Sequence, residues 1–172
     1  MTAIRATLLQ DWSANDSGRS RFIMLAFRDG QLARHRAESI PVMGGLVRGT
    51  VSVVYQFTTC WLMGVELPLS VSVGPGCRLL HPTAIVVNPG TVIGARCTLR
   101  NSVTIGNVVG RDGAVSAAPV LGDDVEIGAG ALIIGPRRIG DGARIGAGAV
   151  VVTDVVSGAT VVGNPAHVVG HR

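Results

Sequence analysis

Lysine is absent from this chain; all 15 basic residues are arginine. Aromatic residues are almost as scarce, at 3 % of the sequence: three Phe, two Trp and one Tyr. Conventional globular cores draw on large aromatic side chains, so this scarcity argues against one. It also argues against a nucleic-acid surface, because no basic cluster is interleaved with stacking rings. Three cysteines, Cys60, Cys77 and Cys97, have no CxxC spacing, which speaks against a zinc ribbon or a disulfide framework and for a reduced cytoplasmic protein. The start of the chain carries no basic-then-apolar signal pattern. The charge-free run from Gly49 to Val65 is 17 residues long and includes Thr, Gln, Tyr and Gly. It reads as a buried helix, not a membrane span. The net charge is +4, and arginine suits phosphate through its planar fork.

Glycine, by contrast, is abundant, with 24 residues, and an aliphatic residue recurs every sixth position. The series runs Val73, Leu79, Ile85; then Ile93, Leu99, Ile105; then Leu121, Ile127, Ile133, Ile139, Ile145, Val151. Glycine often follows, as at Gly94, Gly106, Gly122, Gly128, Gly140 and Gly146, and a small residue often stands four places on, as at Cys77, Cys97, Ala131, Ala143 and Ala149. A six-residue period points to a parallel β-helix, whose narrow interior is filled by stacked aliphatics. The expected class is therefore mainly β, a β-helix of hexapeptide repeats behind a short helical N-terminal segment.

That segment spans 1–64 and the β-helix domain 65–172. Within 1–64, Arg21 to Arg36 and Leu46 to Met63 have helix-compatible apolar patterns, Asp16 or Ser17 can cap the first, and Gly44-Gly45 separates them. Such helices would cover the first coil or pair with another copy. Two breaks interrupt the hexad. Ile85 to Ile93 carries two extra residues, assigned to the segment Pro89-Gly90-Thr91-Val92, and Ile105 to Leu121 carries ten, so residues 107–119 must protrude as a loop. Loops extruded from a rigid repeat are where function concentrates. Arg137 falls at an inward small position, which implies local distortion or a register slip at Pro136.

The repeat, the segment His81-Pro-Thr-Ala-Ile-Val-Val-Asn88, the loop after Val103-Thr-Ile-Gly-Asn107 and the ending Val162-Gly-Asn-Pro-Ala166 together resemble the hexapeptide-repeat acyltransferases. The serine acetyltransferase-like branch, with its bacterial polysaccharide members of the colanic acid type, is the nearest in look. The resemblance implies a left-handed coil, an exception to the usual right-handed crossover. It implies homotrimers with an acetyl-CoA groove between subunits; in serine acetyltransferases the helical N-terminus joins two trimers into a dimer of trimers. It also implies acetyl-CoA as co-substrate, with no metal expected.

Acetyl transfer from a thioester to a hydroxyl needs a base, and imidazole suits that task. Of His35, His81, His167 and His171, only His81 lies within the coils ahead of the loop. A carboxylate partner would fix its tautomer. Glu66 lies 15 residues earlier, close to one coil of about 18, and the resemblance matches it to the Asp that partners the family histidine. By the same resemblance Gly106, Ala129 and Ala147 offer backbone amides to coenzyme A, with Asn107 at the mouth of the loop and Arg144, and more weakly Arg172, for phosphate. Asn101, Ser102, Arg111 and Asp112 are polar candidates for the acceptor. The chain departs from serine acetyltransferases at Leu80, where they carry Asp, and at Ala117-Ala118-Pro119, where they carry Arg-His-Pro. Leu80 cannot pair with an α-ammonium, nor an Ala-Ala pair with a carboxylate. A saccharide or glycan-precursor hydroxyl is the expected acceptor. Alternatives are a serine O-acetyltransferase with an altered pocket and a non-catalytic scaffold; a zinc carbonic anhydrase on this fold would need three histidine ligands.

Overall fold

The computed structural model describes residues 2–37 and 44–171, with side chains from residue 6; Arg172 lies outside them. Helices α1 (Thr2–Ala14), α2 (Gly18–Ala37) and α3 (Gly44–Gln56) come first, and α3 runs on into a π-helical turn, Phe57–Trp61. The Ser17 hydroxyl accepts from the Ser20 amide at 3.1 Å and so caps α2 as its position suggested. The first turn of the coil holds β1 (Val65–Glu66), β2 (Ser72–Val73) and β3 (Arg78–Leu80). The second holds β4 (Ile85–Val87), β5 (Val92–Ile93) and β6 (Thr98–Arg100), and the third β7 (Thr104–Gly106), β8 (Val120–Leu121) and β9 (Glu126–Ile127). The fourth holds β10 (Leu132–Ile134), β11 (Arg138–Ile139) and β12 (Arg144–Ile145); β13 (Val150–Val151), β14 (Ala159–Val162) and β15 (His167–His171) close the chain.

These strands stack into three parallel faces: β1-β4-β7-β10-β13, β2-β5-β8-β11 and β3-β6-β9-β12-β14. Only β15 is antiparallel, folding back on β14 at the far end. The result is a triangular, left-handed parallel β-helix, as the hexad predicts. Its interior is a ladder of Leu79, Leu99 and Ile127, of Ile93, Leu121 and Ile139, and of Val87, Ile105, Ile133 and Val151, all buried. Each such aliphatic contributes about 1.5–3 kcal/mol by leaving water. The glycine after it is steric: a Cβ on Gly128 would lie 2.5 Å from the Ala147 amide nitrogen of the next turn.

The helices cover the first turn, whose outer edge has no preceding strand. Side chains take the place of the missing coil. Tyr55 donates to Leu67 O at 2.8 Å, and Gln31 to Leu69 O and Val71 O at 3.2 and 3.1 Å. Arg28 donates to Val73 O and Gly74 O, both at 2.8 Å, and to Asp11 at 2.8 Å. Asp11 accepts from Gly76 and Cys77 amides, while Asn15 accepts from Leu79 N and donates to Cys77 O. An exposed edge is thereby paired rather than left open.

Two expectations are corrected and a third, left open between two readings, is decided. The stretch Gly49–Val65 is helical through Trp61, but it is not a buried helix: Val53, Val54, Phe57, Trp61 and Leu62 are exposed. The two extra residues do not lie in Pro89-Gly90-Thr91-Val92, because Val87, not Ile85, stacks on Ile105, and Val87 to Ile93 is an ordinary six. Arg137 marks a local distortion, not a slip, since Ile139 still registers on Leu121. Its amide donates to Gly135 O at 2.7 Å and its guanidinium turns back onto Ile134 O at 3.2 Å.

Candidate active site at the third corner

Three corners run the length of the prism. The corner between the third and first faces carries His81. Here Ser102 N donates to Thr83 O, Gly130 N to Asn101 O and Gly148 N to Ala129 O, at 2.8, 3.0 and 2.8 Å. Thr83, Asn101, Ala129 and Ala147 therefore occupy one column. Since Leu80 registers on Arg100, the residues left over are His81 and Pro82. The inserted pair is the candidate base and the proline that follows it.

The backbone records the same insertion. Each turn rounds this corner through one left-handed residue: Gly64, Ala84 (φ 52°), Ser102 (φ 59°), Gly130 and Gly148. The His81 turn alone carries a second, His81 itself at φ 53°. A non-glycine residue held there costs on the order of 1–3 kcal/mol, and such strain gathers at functional sites. The Thr83 hydroxyl donates to His81 O at 3.2 Å and braces the bulge. The imidazole is exposed and, among the described residues, forms no hydrogen bond.

Glu66 does not return over His81. The first turn is 20 residues long, from Val65 to Ile85, and Glu66 registers on Val86. The carboxylate lies on the first face, on the strand stacked against the one that His81 leads into; among the described residues no hydrogen bond joins the two. Glu66 opens on a cavity of about 150 Å³ between α2, α3 and β1, lined also by Arg34, Gln56, Cys60 and Leu67.

The coenzyme A candidates divide between two edges. Ala129 and Ala147 share the corner of His81 and Asn101. Gly106 ends β7 at the opposite edge of the first face, where Asn107 opens the loop. A face is about five residues across, roughly 15 Å, so one chain does not gather them. The loop folds as a small hairpin, with Val109 bridged to Val115 and Ser116 N donating to Val108 O at 2.8 Å. Arg111 and Asp112 sit at its exposed tip, where Asp112 accepts from Ala114 N at 3.0 Å. Arg144 lies on the third face, paired with Glu126 at 3.1 Å. Among the described residues no group of three or more His, Cys, Asp or Glu could hold a metal, and no helix is long and apolar enough to cross a membrane. Cys77 and Cys97 are closed off from solvent inside the coil, and burial pushes the Cys77 thiol well above its ordinary range and the Cys97 thiol to about 11, which disfavours the thiolate in both.

A corner built on left-handed turns, with a bulged histidine and small residues beneath it, belongs to the hexapeptide class of transferases. Residues 118–153 match the family described as "Bacterial transferase hexapeptide (six repeats)". Over 162 residues the chain is 34 % identical to the putative colanic acid biosynthesis acetyltransferase WcaB of Escherichia coli K12, covering 94 % of this chain and 98 % of that one. It is 39 % identical over 125 residues to the chloroplastic serine acetyltransferase 1 of Arabidopsis thaliana, covering 73 % of this chain but only 39 % of the plant enzyme. The serine acetyltransferase of Neisseria gonorrhoeae superposes with a TM-score of 0.73 at 29 % identity, over 99 % of this chain and 66 % of that one. The chain thus belongs to the hexapeptide-repeat acyltransferases, on the branch that holds WcaB and the serine acetyltransferases.

Proposed function

We propose that the protein is a cytoplasmic acetyl-CoA-dependent O-acetyltransferase whose acceptor is a hydroxyl of a saccharide or glycan precursor. The bulged, unpartnered His81 carries the reading. Its imidazole takes the acceptor proton as the oxygen attacks the thioester carbonyl; the tetrahedral intermediate then collapses and coenzyme A thiolate leaves. Glu66, on the neighbouring strand of the first face, turns onto the imidazole once the groove is filled and stabilises the imidazolium as it forms. The pantetheine arm follows the corner past Ala129 and Ala147, where no side chain obstructs the backbone. Gly106 and Asn107 on the opposite edge complete the groove from a neighbouring copy, which makes the working unit a homotrimer; Arg144 lies toward the nucleotide phosphates. Asn101 faces the acceptor from beneath His81, and Arg111 and Asp112 reach it from the neighbour's loop. Leu80 and Ala117-Ala118 leave nothing to grip an amino acid's charges.

The test is His81→Asn, because asparagine tolerates a left-handed backbone while lacking a base. Turnover should fall by about 10²–10⁴ with coenzyme A affinity retained. Wild-type turnover in this variant would refute the assignment, and efficient O-acetylserine formation by the wild type would overturn the saccharide acceptor.

A further inference from the structure

In a chain with six aromatic residues, one stands almost entirely in solvent. Trp61 is 79 % exposed, the highest value among the large apolar side chains described. Phe27 and Tyr55 are buried, and Trp12 lies under the Arg21 guanidinium at 4.6 Å. Trp61 has no ring or cation partner among the described residues. It ends an exposed apolar stripe that also holds Val54 and Phe57, and contiguous exposed apolar surface marks a place where something binds.

Its place in the fold says what does. Trp61 ends the π-helical turn Phe57–Trp61, in which Leu62 N donates to Phe57 O at 3.2 Å. Widened turns of this kind re-aim side chains and recur at functional sites. Three residues later the chain reaches Gly64, where a Cβ would lie 3.6 Å from the Ala84 amide nitrogen. The next strand pairs Val65 with Ile85 and Glu66 with Val86. Gly64 therefore stacks over Ala84 at the end of the His81–Ala84 bulge, and the turn bearing Trp61 leads into that corner and on to the strand that carries Glu66.

On the reading of His81 as the base for a saccharide hydroxyl, we propose that Trp61 is the acceptor's platform: the C–H face of a pyranose ring stacks on the exposed indole and one hydroxyl turns toward His81. One face of a sugar ring is a patch of C–H bonds, while its hydroxyls project around the rim. An indole removes that patch from water and leaves the rim free for Asn101 and His81. This accounts for an acceptor site without charged anchors, and a free amino acid has no face to offer it.

The test uses methyl β-D-glucopyranoside and methyl β-D-galactopyranoside, with L-serine as the control. In a Trp12→Phe background all indole emission comes from Trp61, and glycoside should shift it to the blue while serine does not. Trp61→Ala should raise the acceptor KM by about tenfold or more, leaving the acetyl-CoA KM and the fold intact. Trp61→Phe, which keeps a flat apolar face, should recover most of that loss. An unchanged acceptor KM in Trp61→Ala overturns the platform and leaves acetyl transfer standing. A glycoside-induced shift without transfer does the reverse. A blue shift that follows protein concentration without sugar also overturns the platform, because a second copy then covers Trp61.

Discussion

Two corners of the same prism use polar residues in opposite ways. At the second corner, between the second and third faces, carboxylates tie one turn to the next. Asp123 accepts from Ala95 N and Asp141 from Asp123 N, both at 2.8 Å, and Asp11 from α1 does the same for Gly76 N. Arg96 binds Asp124 at 2.6 and 2.8 Å. At the third corner, among the described residues, His81 is unpartnered, Asn101 offers only its backbone carbonyl, and Ala129 and Ala147 carry nothing to pair. One edge commits its polar groups to holding the coil; the other leaves them for a ligand. That contrast locates the site more sharply than the cavities do, since the cavity between α2, α3 and β1 touches Glu66 but not His81.

The largest effect expected from breaking the structural edge is at Asp11. Its carboxylate meets Arg28 and two corner amides, and the pair's side chains are only 2 % and 10 % exposed. Asp11→Ala would strand a buried guanidinium and two donors, at a cost of about 3–5 kcal/mol. Chemical unfolding should show this as an early loss of helix signal. A cost below about 1 kcal/mol would mean that the helices are held by packing alone.

A matched pair of substitutions separates the corners more finely. Asp123→Ala removes the acceptor for Ala95 N and should cost about 1 kcal/mol of stability with turnover unchanged. Asn101→Ala, in the third corner, should leave stability within about 0.5 kcal/mol while raising the acceptor KM. Reversed results, with Asn101 setting stability and Asp123 setting turnover, would break the division.

How far the sequence shows this depends on the range of the interaction. The hexad is local, so the prism, its ladder of Leu79, Leu99 and Ile127, and the extruded loop are legible in it. The bulge is misplaced because Ile85 and Val87 are both aliphatic and both point inward; only pairing with Ile105 on the next turn tells which keeps the period. The Asp11–Arg28–Asn15 cap bonds residues 45 to 66 positions away in the first turn, and no spacing announces it. His81 was found through its flanking segment, yet its insertion and left-handed backbone emerge only from the register. Trp61 stood inside a run read as buried helix, since an exposed aromatic and a core aromatic look alike in sequence.

The smallest effect is electrostatic and tests whether the second corner is tied by charge as well as by geometry. The hydrogen bonds from Arg96 hold the Asp124 carboxyl below its ordinary range. A carboxyl whose folded value lies below its unfolded value stabilises the fold above the unfolded value of about 4, and that gain drains away as pH falls through the lowered folded value. Both groups are exposed, so salt should screen most of the gain. A carboxylate titration by NMR should find Asp124 titrating below the ordinary aspartate range, and Arg96→Ala should return it upward. Stability of the wild type and of Arg96→Ala should converge once pH falls below the lowered folded value. If Asp124 titrates normally in both proteins, the corner is held by its backbone turns and the Asp123–Asp141 ladder, and the Arg96 pair is an ornament of the surface.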